Sequence, residues 1–208
     1  MPRSLFIFSL VYGGMVTIAG VLGAKQVAIG PLAVEAGIFA FLLLVVLSST
    51  VAELHGKSVA DRLVRFGFIP LIMSIILIQI VLALPTDKGM YPPAVSAFPV
   101  ILGQGARMMF AGLISYGISQ TLNVLIFEKL RTAAGGMLWL RAGIASIASQ
   151  VIDTLLFITT SFYGERAIGE LMIGQMTAKI ILSILLVPVL ITVLVRLGRK
   201  LDRVGSPL

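Results

Sequence analysis

Of 208 residues, 58% are hydrophobic and only 12% are charged, and the mean hydropathy is +1.07; a soluble domain carries about 25% charged residues, so a water-exposed surface cannot be assembled from this chain. A net charge of +7 in a soluble protein would point to nucleic acid, but here the basic residues follow a membrane topology. There are no cysteines and one histidine, His55, which excludes disulfides, thiolate metal sites, cysteine nucleophiles and a multi-histidine metal site within one protomer.

A membrane-spanning helix needs roughly 20 mainly apolar residues. The first such run, 5–24, follows Arg3 and ends in Gly23-Ala24 in the manner of a signal peptide; it is nearer a full span than a signal core, and it is predicted as an uncleaved helix. Lys25 behind it is expected to anchor at the interface. After a break at Gly30-Pro31 come spans at 36–54 and 66–84, then a second break at Pro85-Thr86-Asp87. The segment 94–102 is apolar but short and bounded by prolines, so it is predicted as an interfacial turn or a lead-in to the next span. The remaining spans are 105–127, 141–162 and 172–195, separated at Gly135-Gly136 and Gly164. The expected fold is all-α: a polytopic membrane protein built as one six-helix domain over residues 1–208.

Lysine and arginine set the orientation. Arg3, Lys57, Arg62, Arg65, Lys129, Arg131, Arg141, Arg196, Arg199, Lys200 and Arg203 fall on the side of the two termini, and Lys25, Lys88 and Arg166 on the other. This bias of eleven to three places both termini in the cytoplasm. Trp139, Arg141 and the basic run Arg196–Arg203 therefore read as interface and topology signals.

Polar groups inside spans are a different matter, because an ionisable residue at a helix centre costs at least about 2.5–3.5 kcal/mol on the insertion scale. Ser146, Ser149, Gln150, Asp153 and Thr154 share one face of the fifth span. The serines alone fit either a packing seam or a site; Asp153 points to a site, since a neutral residue would pack at lower cost. Gln175, Lys179 and Ser183 form a stripe on the sixth span. At 1.5 Å per residue, Lys179 and Asp153 lie roughly 10 and 13 Å from the outer edge, within reach of an ion pair. On the fourth span Tyr116, Gln120 and Asn123 share a face, with Arg107 at its outer end, where it can also snorkel. Glu53 closes the second span, either solvated or paired with Lys57. There is no nucleophile–base motif, phosphate loop or zincin signature, so no enzymatic activity, cofactor or metal is expected. What these residues build is a polar pocket in a helix bundle, suited to a small, flat, hydrogen-bonding solute.

Three blocks resemble the queuosine precursor transporter family, once called the vitamin uptake transporter family. They are Ser48–Arg65, "SSTVAELHGKSVADRLVR"; Arg107–Arg131, with "SYGISQTLNVLIFEKLR"; and "WLR" at Trp139–Arg141 followed by "SIASQVIDTLLFITTSFYG". The last is closest to the family pattern L-R-x-x-x-S-x-x-x-[SG]-Q-x-x-D-T-x-x-F. The resemblance implies a multi-pass bacterial inner-membrane protein that imports a 7-deazaguanine precursor of queuosine (preQ0, preQ1 or queuine) for tRNA modification. By position it carries over Arg107, Gln120, Gln150, Asp153 and Lys179, with Glu53 at an acidic position. Thr50 and Asn123 stand where the family commonly has aspartate. For such a substrate Asp153 would read the donor edge, Gln150, Gln120 and Asn123 would supply further hydrogen bonds, and Tyr116 or Phe157 would stack on the ring. The expected partners are that purine-like solute and the lipid bilayer, without nucleic acid; a homodimer and a coupling proton are compatible with it. The alternative is the substrate-binding subunit of an energy-coupling-factor vitamin transporter, which needs separate ATPases and a scaffold.

Overall fold

Long apolar runs in lipid can satisfy their backbone N–H and C=O groups only by closing them internally, and the helix does this within one segment. The computed structural model describes residues 1–30, 32–103, 106–133, 137–164 and 168–203, except the side chains of residues 33, 106, 107, 132 and 133. In chain order the elements are α1 (Arg3–Gly23), β1 (Gln26–Ile29), β2 (Leu32–Glu35), α2 (Gly37–His55), α3 (Lys57–Ala83), α4 (Pro92–Leu102), α5 (Ala106–Ala133), α6 (Leu138–Phe162) and α7 (Gly169–Arg203). Six of the helices, all but α4, are long and apolar enough to cross a bilayer. The chain is an all-α, multi-pass membrane protein.

The position of each helix follows from where its apolar residues lie. In α2, Leu44, Val45, Val46 and Leu47 are consecutive and each at most 1% exposed. A helix buried on every side needs neighbours on every side, and α1, α3, α5, α6 and α7 all pack against it. In α3, by contrast, only Ala60, Leu63, Val64 and Gly67 are buried, and the rest of its apolar surface faces outward. The core joins Phe8, Tyr12 and Val16 of α1 to Val124 and Phe127 of α5, Ala142 and Ala145 of α6, and Val187, Ile191 and Val195 of α7.

Three features differ from the sequence expectation. First, β1 and β2 form an antiparallel hairpin, Gln26 opposite Glu35 and Ile29 opposite Leu32, where only a break had been expected. Gly30 turns it at φ +59, a conformation that favours glycine, and Val34 is fully buried. Second, α3 begins at Lys57, not at 66. Gly56, at φ +87 and ψ 161, ends α2 and starts α3 on its own. The basic segment expected in a loop is therefore helical: Lys57 pairs with Asp61, and Arg62 and Arg65 donate from Nε to the carbonyls of Ser58 and Asp61. At about 1.5 Å per residue α3 exceeds the thickness of a hydrocarbon core, so its first turns can carry charge. Third, Pro92–Leu102 is a helix of its own; it has 11 residues and none is buried.

Successive long helices run in opposite directions, which brings both termini to one end. There Ser4 ties three helices together. Its N–H donates to Asp202 Oδ1 at 2.9 Å, its hydroxyl donates to Asp202 Oδ2 at 2.7 Å, and the same oxygen lies 2.8 Å from His55 Nε2. Gly198 lets α7 approach there, since a Cβ on it would fall on Leu54 and Phe8.

Candidate functional site

Toward the other end the helices diverge around a cavity of about 190 Å³. Its walls come from the half of each element nearest the hairpin: Val16 to Gly23 of α1, Phe41 of α2, Ser74 of α3, Leu102 of α4, Ser115 and Tyr116 of α5, Asp153 and Phe157 of α6, and Gln175 and Lys179 of α7. Glu35 of β2 is at its rim. Most of the lining is apolar, and a few polar groups converge on it. That combination is typical of small-molecule sites.

The chemistry centres on one ion pair. Lys179 Nζ lies 2.8 Å from Asp153 Oδ2, and both side chains are about nine-tenths buried, at 10% and 8% exposure. The ammonium sits 5.6 Å from the centre of the Phe41 ring, a cation–π contact that aims it at the cavity wall. Asp153 Oδ1 is less occupied: its partner is the hydroxyl of Ser119, which donates at 3.4 Å. A carboxylate held by one strong donor on one oxygen keeps lone pairs for an incoming N–H.

Tyr116 is part of the cavity wall. Its hydroxyl lies 3.2 Å from the Val64 carbonyl, to which it donates, and 3.0 Å from Tyr12 Oη, and the edge of its ring meets Phe68 with centroids 5.0 Å apart. Gly67 makes room for that hydroxyl, because a Cβ there would overlap Tyr116 Oη and lie 2.8 Å from Tyr12 Cε1.

One turn deeper is a closed polar layer. Gln120 Oε1 accepts from Ser48 at 3.3 Å and Tyr12 at 3.5 Å. Asn123 Nδ2 faces the Val45 carbonyl at 3.1 Å and the hydroxyls of Ser48 and Ser49 at 3.0 Å each. Gln150, fully buried, has no hydrogen-bond partner on either amide atom. Ser146 and Ser183 join α6 to α7 at 3.1 Å.

Of the residues expected at a site, Asp153, Lys179, Tyr116 and Phe157 line the cavity together. Gln120, Asn123 and Gln150 are not among its lining residues; they lie in the layer beneath it. Glu53 belongs to neither group. It is near the terminal end of α2, and its partner is Arg141, not Lys57, with Nη1 to Oε2 at 3.2 Å. The Arg107 side chain lies outside the described residues.

Arg141 corrects its reading as a topology signal. It is 3% exposed, its guanidinium lies 4.3 Å from the centre of the Phe127 ring, and its Nε donates to the Phe127 carbonyl at 3.4 Å. Phe41, the cavity's contact to Lys179, was also missed. An apolar aromatic in a hydrophobic span carries no signal of its own, although a span lysine calls for such a neighbour. Thr50, one of the two departures from the family pattern, is fully buried and donates to its own helix at the Val46 carbonyl.

Among the described residues no group of three or more His, Cys, Asp or Glu side chains could hold a metal ion. The arrangement brings a carboxylate, an ammonium, hydroxyls and ring faces together around one small cavity.

The chain is 30% identical over 119 residues to a Bacillus subtilis (strain 168) protein named "Probable queuosine precursor transporter". That match covers 54% of this chain and 49% of the relative, so it spans about half the length of that protein. No solved structure matches the chain. Residues 35–193 match the family model described as "Putative vitamin uptake transporter", which covers α2 through most of α7, and the chain belongs to that vitamin uptake transporter family.

Proposed function

We propose that this protein, as a single six-helix domain over residues 1–208, imports a 7-deazaguanine precursor of queuosine across the bacterial inner membrane. Both termini then face the cytoplasm, and the cavity opens to the outside. The observation that carries the reading is the Asp153–Lys179 pair on the cavity wall. A guanine-type edge presents two adjacent N–H donors beside a carbonyl oxygen. Asp153 accepts from the donors as a charge-assisted pair, while Lys179 turns one of its protons to the carbonyl. Tyr116 and Phe157 bound the ring. The cavity, about 190 Å³, is smaller than the roughly 300–1,000 Å³ of pockets for drug-sized ligands, which suits a bicyclic base. The relative's name supports the same substrate class.

The test is uptake of radiolabelled 7-cyano-7-deazaguanine, a neutral base, by cells whose only route is this protein. Asp153→Ala is expected to reduce uptake to background at equal expression. Wild-type uptake by that variant would reject the assignment. Proteoliposomes containing only this protein separate a self-sufficient transporter, which accumulates or exchanges label, from a binding subunit of a larger machine, which binds label without moving it.

A further inference from the structure

Four polar atoms in the layer beneath the cavity have no hydrogen-bond partner: Gln120 Nε2, Asn123 Oδ1, and Gln150 Nε2 and Oε1. All three side chains are fully buried. A bundle gains nothing by sealing unpaired amides inside itself, since each forfeits its hydration without replacement, and apolar side chains of the same size would close the layer at lower cost. The unpaired set is also chemically balanced, with two amide nitrogens that donate and two amide oxygens that accept.

These groups lie inward of the ion pair, spread over a band about 4.5 Å deep. α5 runs toward the terminal end and α6 away from it, and Ser119 bonded to Asp153 marks a shared level. Gln150 then lies about 4.5 Å inward of Asp153, and Asn123 about 6 Å inward of Ser119, at 1.5 Å per residue. Tyr116, which lines the cavity, is hydrogen-bonded to Tyr12 at 3.0 Å, and Gln120 is reached from Tyr12 at 3.5 Å.

We propose that Gln120, Asn123 and Gln150 form a second solute station, closed in this conformation, which receives the solute after it leaves the Asp153–Lys179 station. The ligand class is a neutral planar molecule with a cyclic-amide edge, one N–H beside one C=O. Such an edge pairs with a primary amide through two parallel hydrogen bonds. The absence of charge in the layer suits release: a carboxylate there would hold the solute as tightly as the first station does. This inference rests on the import reading above, and it predicts which step each residue serves.

The experiment compares wild type, Gln150→Leu, Gln150→Met and Asp153→Ala with radiolabelled 7-cyano-7-deazaguanine, which is neutral. Equilibrium binding is measured in detergent, initial uptake in proteoliposomes, and Tm for each. Both Gln150 variants are expected to bind within twofold of wild type and to keep or raise Tm, because an unpaired buried amide has been removed. Their uptake is expected to fall at least tenfold. Asp153→Ala is expected to lose binding itself. The proposal is overturned if the Gln150 variants lose binding in step with uptake, which would put Gln150 in the first station. Wild-type uptake overturns it too, since the layer is then packing alone, as does a Tm several degrees lower in both variants, since the amide then has structural partners. Failure of wild type to bind the probe at all is a separate result: it removes the import reading, and the second station with it.

Discussion

The pair at the cavity wall can be weighed by breaking it from each side. At an effective dielectric of about 20, unit charges separated by the 2.8 Å between Lys179 Nζ and Asp153 Oδ2 attract by about 6 kcal/mol. Withdrawing both groups from water takes back several kcal/mol each, so the intact pair contributes little net stability. A single substitution is different, because it keeps the withdrawal cost and removes the attraction. Lys179→Met leaves the carboxylate with one hydroxyl donor, Ser119 at 3.4 Å. Asp153→Leu leaves the ammonium facing the Phe41 ring, 5.6 Å from its centre. Each is expected to destabilise the protein by about 3–5 kcal/mol. In a chain of this size that corresponds to a Tm lower by about 6–20 °C. The double variant removes both charges and is expected to return to wild-type stability or above, giving a coupling energy of about 6 kcal/mol or more. Thermal unfolding of the four proteins in one detergent measures the cycle. Single effects within about 1 kcal/mol of wild type that simply add in the double variant would show that these groups do not see each other, and the site would lose its centre.

Arg141→Met removes a 3% exposed cation and is expected to cost about 3–5 kcal/mol, whereas Glu53→Gln, at a carboxylate that keeps 18% exposure, is expected to cost clearly less; chemical denaturation of both variants tests that order. Gly67→Ala forces a methyl group onto Tyr116 Oη and Tyr12, at a cost of about 1–3 kcal/mol, while Gly143→Ala meets nothing within 4 Å and is expected to be neutral or slightly stabilising. Paired melting curves check this, and a Gly67→Ala protein as stable as wild type would contradict the close approach of α1, α3 and α5.

Asp153 and Lys179 were legible from sequence because charge in an apolar span is costly, and helical spacing puts each on a definable face. Depth was not legible to the same degree. Periodicity places Gln120, Asn123 and Gln150 on the right faces, yet a single helical turn separates a cavity wall from a closed layer. That turn is decided by how Tyr12 of α1 packs against Tyr116 of α5, across more than a hundred residues. Arg141 was lost for a related reason. Counting Lys and Arg by side assumes that each one is solvated, and only the return of α6 against α5 shows that Arg141 lies on Phe127. A window long enough to detect a span also averages over strands of four residues, so the hairpin between α1 and α2 left no trace in hydropathy.

The two ends of the bundle are held in different ways, and the difference bears on how a solute could cross. At the hairpin end the cavity separates the helices. At the terminal end the joints between helices include Ser4 with Asp202 and His55, Arg141 with Glu53, and the amide layer with Ser48 and Ser49. Apolar packing in a bilayer interior gives little preference between protein and lipid neighbours, so a seal of methyl groups alone would not define one closed register. Polar joints do, because each has its partner in one arrangement and loses it in others. They also open without exposing a large apolar surface, since the groups released at the terminal end can be taken up by water. In the import reading proposed above, alternating access needs that combination at the side that must open second: a definite closed state that water can replace contact by contact. The unpaired atoms of Gln120, Asn123 and Gln150 lie next to those joints, so a solute entering the layer would supply partners to the amides just as the closed arrangement is given up.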